Sequence, residues 1–241
     1  MPTDASRFID LNADVGEEVG DDSAMLEVVT SANIACGGHA GGGEVMRATV
    51  AAALKHGVAI GAHVSYLDRE NFGRVELQLP SDDVTAAVRL QIASLRAVAG
   101  ESIVFVKAHG ALYNQAMVDT RIASALLDGV VGAGDALGIP AVTALPDSVA
   151  AITAVGRGLR VIREGFADRA YQPDGSLLPR SQPGAVLHDV AQVAAHALAL
   201  ANSGRVDTIC VHGDTPDSVA MARAVRDALV ADGFTLRASS K

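Results

Sequence analysis

The 241-residue chain contains no tryptophan, and aromatic residues make up only 3% of it. Its core must therefore be assembled from Ala, Val, Leu and Ile. Two cysteines, Cys36 and Cys210, are too few for a disulfide framework and point to a reducing compartment, with the cytoplasm as the expected location. No apolar run approaches the roughly 20 residues of a membrane-spanning helix. No basic-then-apolar leader opens the chain. The formal charge is −9, and basic residues nowhere cluster, which argues against nucleic acid or an anionic membrane as partner. Neither a GxGxxG after the first strand nor a GxxxxGK[ST] phosphate loop is present. HEXXH, HxxEH and closely spaced HxH patterns are missing too, so no tightly bound metal is expected.

What is present is a rhythm. Short apolar runs at residues 8–12, 32–35, 58–62, 103–106, 141–144, 160–162 and 208–211 read as strands. Helical patterns separate most of them, at 23–30, 44–56, 82–98, 120–137, 148–155, 189–201 and 217–231. Ser81 and Thr215-Pro216 are expected helix starts, and Gly57 and Gly100 expected stops. Near-continuous apolar strands alternating with helices predict a parallel sheet covered by helices. With about seven such units and no compositional break, the predicted fold is α/β, a single seven-stranded (β/α) barrel over residues 1–241, with an open doubly wound sheet as the alternative. Residues 166–188, rich in Pro and Gly, break the rhythm and predict a lid, a hairpin or a contact arm.

In parallel β/α folds, ligands bind at the carboxyl ends of the strands. Here those ends are polar: Asn12, Asp14 and Glu17 after the first strand; Asn33 and His39 after the second; His63 and Arg74 after the third; Lys107 and His109 after the fourth; Glu164, Asp168 and Arg169 after the sixth; His212 and Asp214 after the seventh. One polar strand end usually caps a helix, whereas five or six that converge are better explained by a site. The small residues of Gly61-Ala62-His63 are read as leaving room for a ligand. Lys107 is the strongest single candidate, binding an anion or joining a buried ion pair. The catalytic candidates are Asp14, His63, Lys107 and His109. The binding candidates are Asn12, Asn33, His39, Arg74, Arg169, His212 and Asp214. Three chemistries fit such a set: metal-assisted hydrolysis, metal-free acid–base attack on an amide carbon, and anion binding without turnover.

The motifs Asp10-Leu11-Asn12-Ala13-Asp14-Val15-Gly16-Glu17, Asn33-Ile34-Ala35-Cys36-Gly37, Gly61-Ala62-His63, Phe72-Gly73-Arg74, Lys107 with His109-Gly110-Ala111-Leu112-Tyr113, Phe166-Ala167-Asp168-Arg169-Ala170-Tyr171 and His212-Gly213-Asp214 together resemble the LamB/YcsF family, over about residues 9–234. The resemblance implies a seven-stranded barrel related to carbohydrate deacetylases. It also implies the role of the A subunit of a bacterial 5-oxoprolinase, which opens 5-oxo-L-proline to L-glutamate with cleavage of ATP (taken with Mg2+) and acts with subunits B and C. Lys107 and Arg74 would then serve the substrate carboxylate or a phosphate, and Asp14, His63 or His109 would handle protons. A homo-oligomer is a further possibility. The runner-up is a metal-dependent amidase or deacetylase, and the third reading a non-catalytic anion-binding partner. The chain departs from the family pattern at Gly38, normally bulky, and at Gly42-Gly43, normally Asp-Pro. It departs again at Val64 and Leu67, normally prolines, at Val75, normally arginine, and at Ala108, normally proline.

Overall fold

In the first strand, every second residue is apolar, and the residues between are Asp10, Asn12 and Asp14. Side chains alternate between the two faces of a strand, so one face is aliphatic and the other acidic or amide-bearing. A computed structural model, which describes residues 7–134, 138 and 141–239, shows what this alternation builds. Strands β1 (Arg7–Val15), β2 (Ser31–Ala35), β3 (Ala59–Val64), β4 (Ile103–Ala108), β5 (Ala141–Ala144), β6 (Val161–Phe166) and β7 (Thr208–Val211) pair in sequence order, all parallel. β1 bonds to both β2 and β7, which closes the ring. The seven-stranded β/α barrel expected from the sequence is thus present. An additional strand, β8 (Phe234–Leu236), pairs with the Arg7–Ile9 end of β1. Three residues carry too little pattern to be read as a strand from sequence.

The helices α1 (Asp22–Leu26), α2 (Gly43–His56), α3 (Ser81–Ala99), α4 (Gly110–Val118), α5 (Thr120–Ala133), α6 (Val149–Gly156), α7 (Val190–Asn202) and α8 (Ser218–Ala231) lie between the strands. Their apolar stripes, such as Val84, Val88, Ile92 and Leu95 of α3, join Leu11, Ile34, Ile60 and Val106 of the strands in one buried cluster. Several starts differ from expectation. Ser81 is the first helical residue after Pro80 and makes no side-chain cap. α8 begins at Ser218, two residues beyond Pro216, because Asp217 takes a left-handed conformation (φ 61°). α4 was not foreseen. It starts directly after His109, and Asp119 ends it and caps α5 with bonds to the Arg121 and Ile122 amides. The expected end of α5 at 137 falls outside the described residues. Among the described residues, no helix is long and apolar enough to cross a membrane.

The register aligns one inward row around the ring. Asp14 lies beside Asn33, Asn33 beside Gly61, His63 beside Lys107, and Glu164 beside Thr208. Below Lys107, Phe105 crosses toward β3. A Cβ added to Gly61 would sit 2.1 Å from the Phe105 ring. The small residue at 61 therefore accommodates Phe105, not a ligand as the sequence suggested. Residues 166–188 fold back on themselves through antiparallel bridges between Arg169 and Val186 and between Tyr171 and Leu177. The Arg169 guanidinium pins this flap by donating to the carbonyls of Ala185 (3.1 Å) and Leu178 (2.6 Å).

Candidate active site

Four strands run further than their apolar runs predict, so Asp14, His63, Lys107 and Glu164 lie on strands and not beyond their ends. Consequently the polar residues point into the barrel and stack in levels. The lowest level is Asp10, which accepts hydrogen bonds from the hydroxyls of Thr30, Ser31 and Thr208. Burial raises its carboxyl above the usual range, against the pull of those hydroxyls. Above it, Asn12 donates to Thr208 Oγ1 (2.7 Å) and Glu164 Oε1 (3.2 Å), and Asn33 donates to Asn12 Oδ1 (2.7 Å) and Asp14 Oδ1 (2.8 Å).

The third level holds the charge. Lys107 Nζ lies 2.9 Å from Asp14 Oδ1 and 2.9 Å from Glu164 Oε1, and 3.1 Å from Cys210 Sγ. An ammonium has three hydrogens, and all three are engaged by the protein. Lys107 is only 2% exposed. Burial works to lower its pKa, but Asp14 leads the opposing charges and the group stays well above its ordinary value, a permanent cation. Burial likewise works against ionisation of Asp14. The charges of His63 and Lys107 overcome it and hold the carboxyl well below the usual range. Tyr113 is pushed well up by burial and by the charge of Glu164.

A histidine cluster flanks this pair. His63 Nε2 lies 3.3 Å from Asp14 Oδ2 and 3.0 Å from His109 Nδ1. His109 stacks on His39, with ring centroids 3.7 Å apart and planes 1° from parallel. Glu17 Oε1 sits 2.8 Å from His39 Nε2 and 3.4 Å from His109 Nδ1. Burial, then the proximity of Asp14 and Asp214, raises the Glu17 carboxyl well above its ordinary range. Burial and His63 lower His39 to about 2, and burial with His39 and His63 lowers His109 well below its usual value, so both rings are neutral. Across the mouth, His212 Nδ1 lies 2.9 Å from both carboxylate oxygens of Asp168, and its ring stacks on Phe166 at 5.3 Å. Burial opposes ionisation of Asp168, but His212 prevails and keeps that carboxyl below its ordinary value.

These groups floor a pocket of about 340 Å³ whose lining includes Asp14, His63, Lys107, His109, Tyr113, Phe166 and His212. Arg74 and Arg169 line it as well, and the flap adds Leu177, Pro179 and Arg180. All four catalytic candidates therefore meet in one cavity. The binding candidates divide. Arg74, Arg169 and His212 line the pocket, while Asp214 holds Arg74 in an ion pair. Asn12 and Asn33 lie beneath the pocket and order the carboxylates, and His39 lies behind His109. Gly110, in left-handed backbone (φ +56°), packs against the Gly73 carbonyl, where a Cβ would come within 2.4 Å.

Residues outside the sequence-derived site set line the same pocket, as Tyr113 and Arg180 do, or contact its lining, as Glu17 and Glu164 do. Glu17 and Glu164 stand in polar strand-end motifs, which was their only signal. Tyr113 reads as an apolar helix residue, and nothing in the local sequence around Arg180 marks it. The Cys36 thiol is no nucleophile, since burial pushes it up to about 12. His196 of α7 bonds through Nδ1 to the Ala167 carbonyl at 3.0 Å.

With this geometry in place, relatives are informative. The A subunit of 5-oxoprolinase from Cutibacterium acnes is 44% identical, over 96% of this chain and 99% of its own length. The crystal structure of a lactam utilization protein from Thermus thermophilus superposes with a TM-score of 0.87 at 37% identity, covering 96% of this chain and 99% of that one. A family 4 carbohydrate esterase from Streptomyces lividans shares the fold at a TM-score of 0.54 and 10% identity, covering 95% and 91% of the two chains. The LamB/YcsF family matches residues 9–241. This polar-floored barrel, with its pocket under the flap, belongs to the LamB/YcsF family.

Proposed function

We propose that this chain is the lactam-hydrolysing A subunit of an ATP-dependent 5-oxoprolinase, opening 5-oxo-L-proline to L-glutamate together with subunits B and C. The observation that carries the reading is the mouth pocket, which places a cationic rim over an acid–base floor. The substrate is a small anion with one amide. Its carboxylate, or a phosphate on its way from ATP, suits Arg74, Arg169 and Arg180, because guanidinium groups bind such oxyanions in bidentate fashion. The near-full-length similarity to a protein named as the A subunit of 5-oxoprolinase supports the same substrate class.

A five-membered lactam is a stable amide, and its carbonyl carbon resists water. Phosphorylation of the amide oxygen by ATP withdraws electrons from that carbon. Water then adds to it, the ring C–N bond breaks as the nitrogen takes a proton, and a second water releases phosphate from the resulting acyl phosphate. Asp14, ionised and adjacent to His63, is the group to receive the proton of the attacking water. His212 is fixed through Nδ1 by Asp168, so its Nε2 is the nitrogen left to exchange a proton with the ring nitrogen. Lys107, with every N–H engaged, acts through Asp14 by keeping it ionised and oriented. His109 completes the floor beside His63.

The test is reconstitution with subunits B and C, 5-oxo-L-proline and ATP, following glutamate and ADP together. Equal yields of the two products are expected. Asp14→Asn should reduce kcat by about 10²- to 10⁴-fold, the usual range for loss of a general base. The reading fails if Asp14→Asn and His212→Asn both turn over at the native rate, or if glutamate forms without ATP.

A further inference from the structure

The acid–base reading leaves unexplained the way Glu17, His39, His63 and His109 face one another. His63 Nδ1 lies 3.2 Å from the Lys107 carbonyl oxygen, and His109 Nε2 lies 3.0 Å from the Phe72 carbonyl oxygen. A carbonyl only accepts, so each of those nitrogens carries its hydrogen. With His63 neutral, the opposite nitrogens, His63 Nε2 and His109 Nδ1, present lone pairs that face each other across 3.0 Å, with Asp14 Oδ2 3.3 Å from His63 Nε2. Glu17 Oε1, once that carboxyl is ionised, adds another acceptor, 3.4 Å from His109 Nδ1 and 3.7 Å from His63 Nε2. Buried acceptors in mutual contact repel unless a positive species joins them, either a metal ion or the protons that His63 and Glu17 would carry in its place.

The spacing suits a small divalent ion once the His39 ring turns out of its parallel stack on His109, since a coordinating imidazole holds the ion in its own plane. Ligand atoms about 2.1 Å from a tetrahedral centre stand about 3.4 Å apart, and the four donor atoms here all lie within 4.8 Å of one another. Histidines that bind metal characteristically donate their other ring nitrogen to a carbonyl, which fixes the tautomer. His63 and His109 both do so. Imidazole nitrogens with one carboxylate favour a first-row ion such as Zn2+ over Mg2+ or Ca2+. A second grouping of donors, Asp14, Cys210 and His212, does not compete, because Lys107 already occupies Asp14 and Cys210.

We propose that Glu17, His39, His63 and His109 bind one divalent first-row metal ion, Zn2+ by ligand type, at the floor of the mouth pocket. The sequence concealed such a site because the donors come from four separated segments with no tight spacing. The inference does not rest on the 5-oxoprolinase reading. An ion there would supply Lewis-acid polarisation of a carbonyl or a more acidic bound water.

The experiment is direct metal binding to the full chain after removal of metal with a chelator, using Zn2+ in titration calorimetry and Co2+ as a visible spectroscopic probe. One ion per chain is expected, with tetrahedral Co2+ bands and no thiolate charge-transfer band. Glu17→Gln, which is nearly isosteric, and His39→Asn should each weaken binding by 10-fold or more, while Cys210→Ser should leave it unchanged. Circular dichroism checks that each variant is folded, and Glu17→Gln keeps the test open if His39→Asn is not. Absence of saturable uptake by the folded native chain overturns the proposal. So does uptake that both ligand variants leave unaltered. Histidine ¹⁵N spectra that show His63 doubly protonated near pH 8, in a chain that takes up no metal, would mean that a proton on His63 fills the role.

Discussion

Replacing Lys107 by methionine removes the cation but keeps most of the side-chain volume. Two carboxylates, on side chains 4% and 0% exposed, are then left without it. Removing one member of a buried ion pair typically costs about 3–5 kcal/mol, because the stranded charge is not resolvated. For a chain of this size each kcal/mol moves Tm by about 2–4 °C, so the expected loss at pH 7 is about 6–20 °C. The cost should depend on pH. In the native protein the Asp14 carboxyl is held well below its ordinary value, so its contribution is present above the unfolded pKa of about 3.9 and fades as pH falls through the folded value. In the variant, burial is opposed by His63 without Lys107, and the Asp14 pKa rises. Once it exceeds the unfolded value, the folded variant binds the extra proton and loses stability as pH rises from about 4 toward neutrality. The gap between native and variant should therefore be narrow near pH 4 and wide at pH 7. Urea unfolding followed by circular dichroism across that range measures it. Adding Asp14→Asn to the variant should restore part of the loss, since neighbours of this kind couple by about 0.5–3 kcal/mol. A loss below about 1 kcal/mol at pH 7, or one equal at both ends of the range, would refute the buried-pair argument.

Three further outcomes follow from the geometry. Gly38→Leu should destabilise the fold by about 1–3 kcal/mol in the same unfolding assay, because a Cβ at this position would lie 2.3 Å from Gln91 Oε1 and 2.4 Å from Ser65 Oγ. Both thiols should resist a disulfide reagent in the folded chain and react fully in denaturant, since burial pushes Cys36 up to about 12 and Cys210 well above its ordinary value. Asp168→Asn should lower kcat of the reconstituted enzyme by about 10²-fold or more, because His212 loses the charged partner that orients it.

Much of the barrel was legible in the chain because its signal is local. A β/α unit writes itself as a short apolar run, a polar end and a helical stripe, and seven such units read in order. The same locality explains the errors. Strand ends were placed where aliphatic residues stop, yet β1, β3, β4 and β6 continue through Asp14, His63, Lys107 and Glu164, since inward polar residues can occupy a strand whose outer face stays apolar. α4 was missed because it lacks an amphipathic stripe, with six of its nine residues buried. The departures also gain a meaning. Gly42 begins α2 with no side-chain cap, so the helix lacks the bond that the family's usual aspartate could make.

By itself, the sequence determined the parallel β/α barrel, the face on which the polar residues gather, and the family. Composition and period suffice for these, since burial of aliphatic side chains is not directional. Tertiary structure alone decided the partners. Lys107 is 93 residues from Asp14, and three of its neighbours compete for its hydrogens. Glu17, His39, His63 and His109 become a cluster only once the ring closes. Arg180 reaches the pocket only because the flap folds back over the mouth. Hydrogen bonds and ion pairs depend on distance and direction, and in a barrel those are set by strand register across the closed sheet, which local sequence does not record.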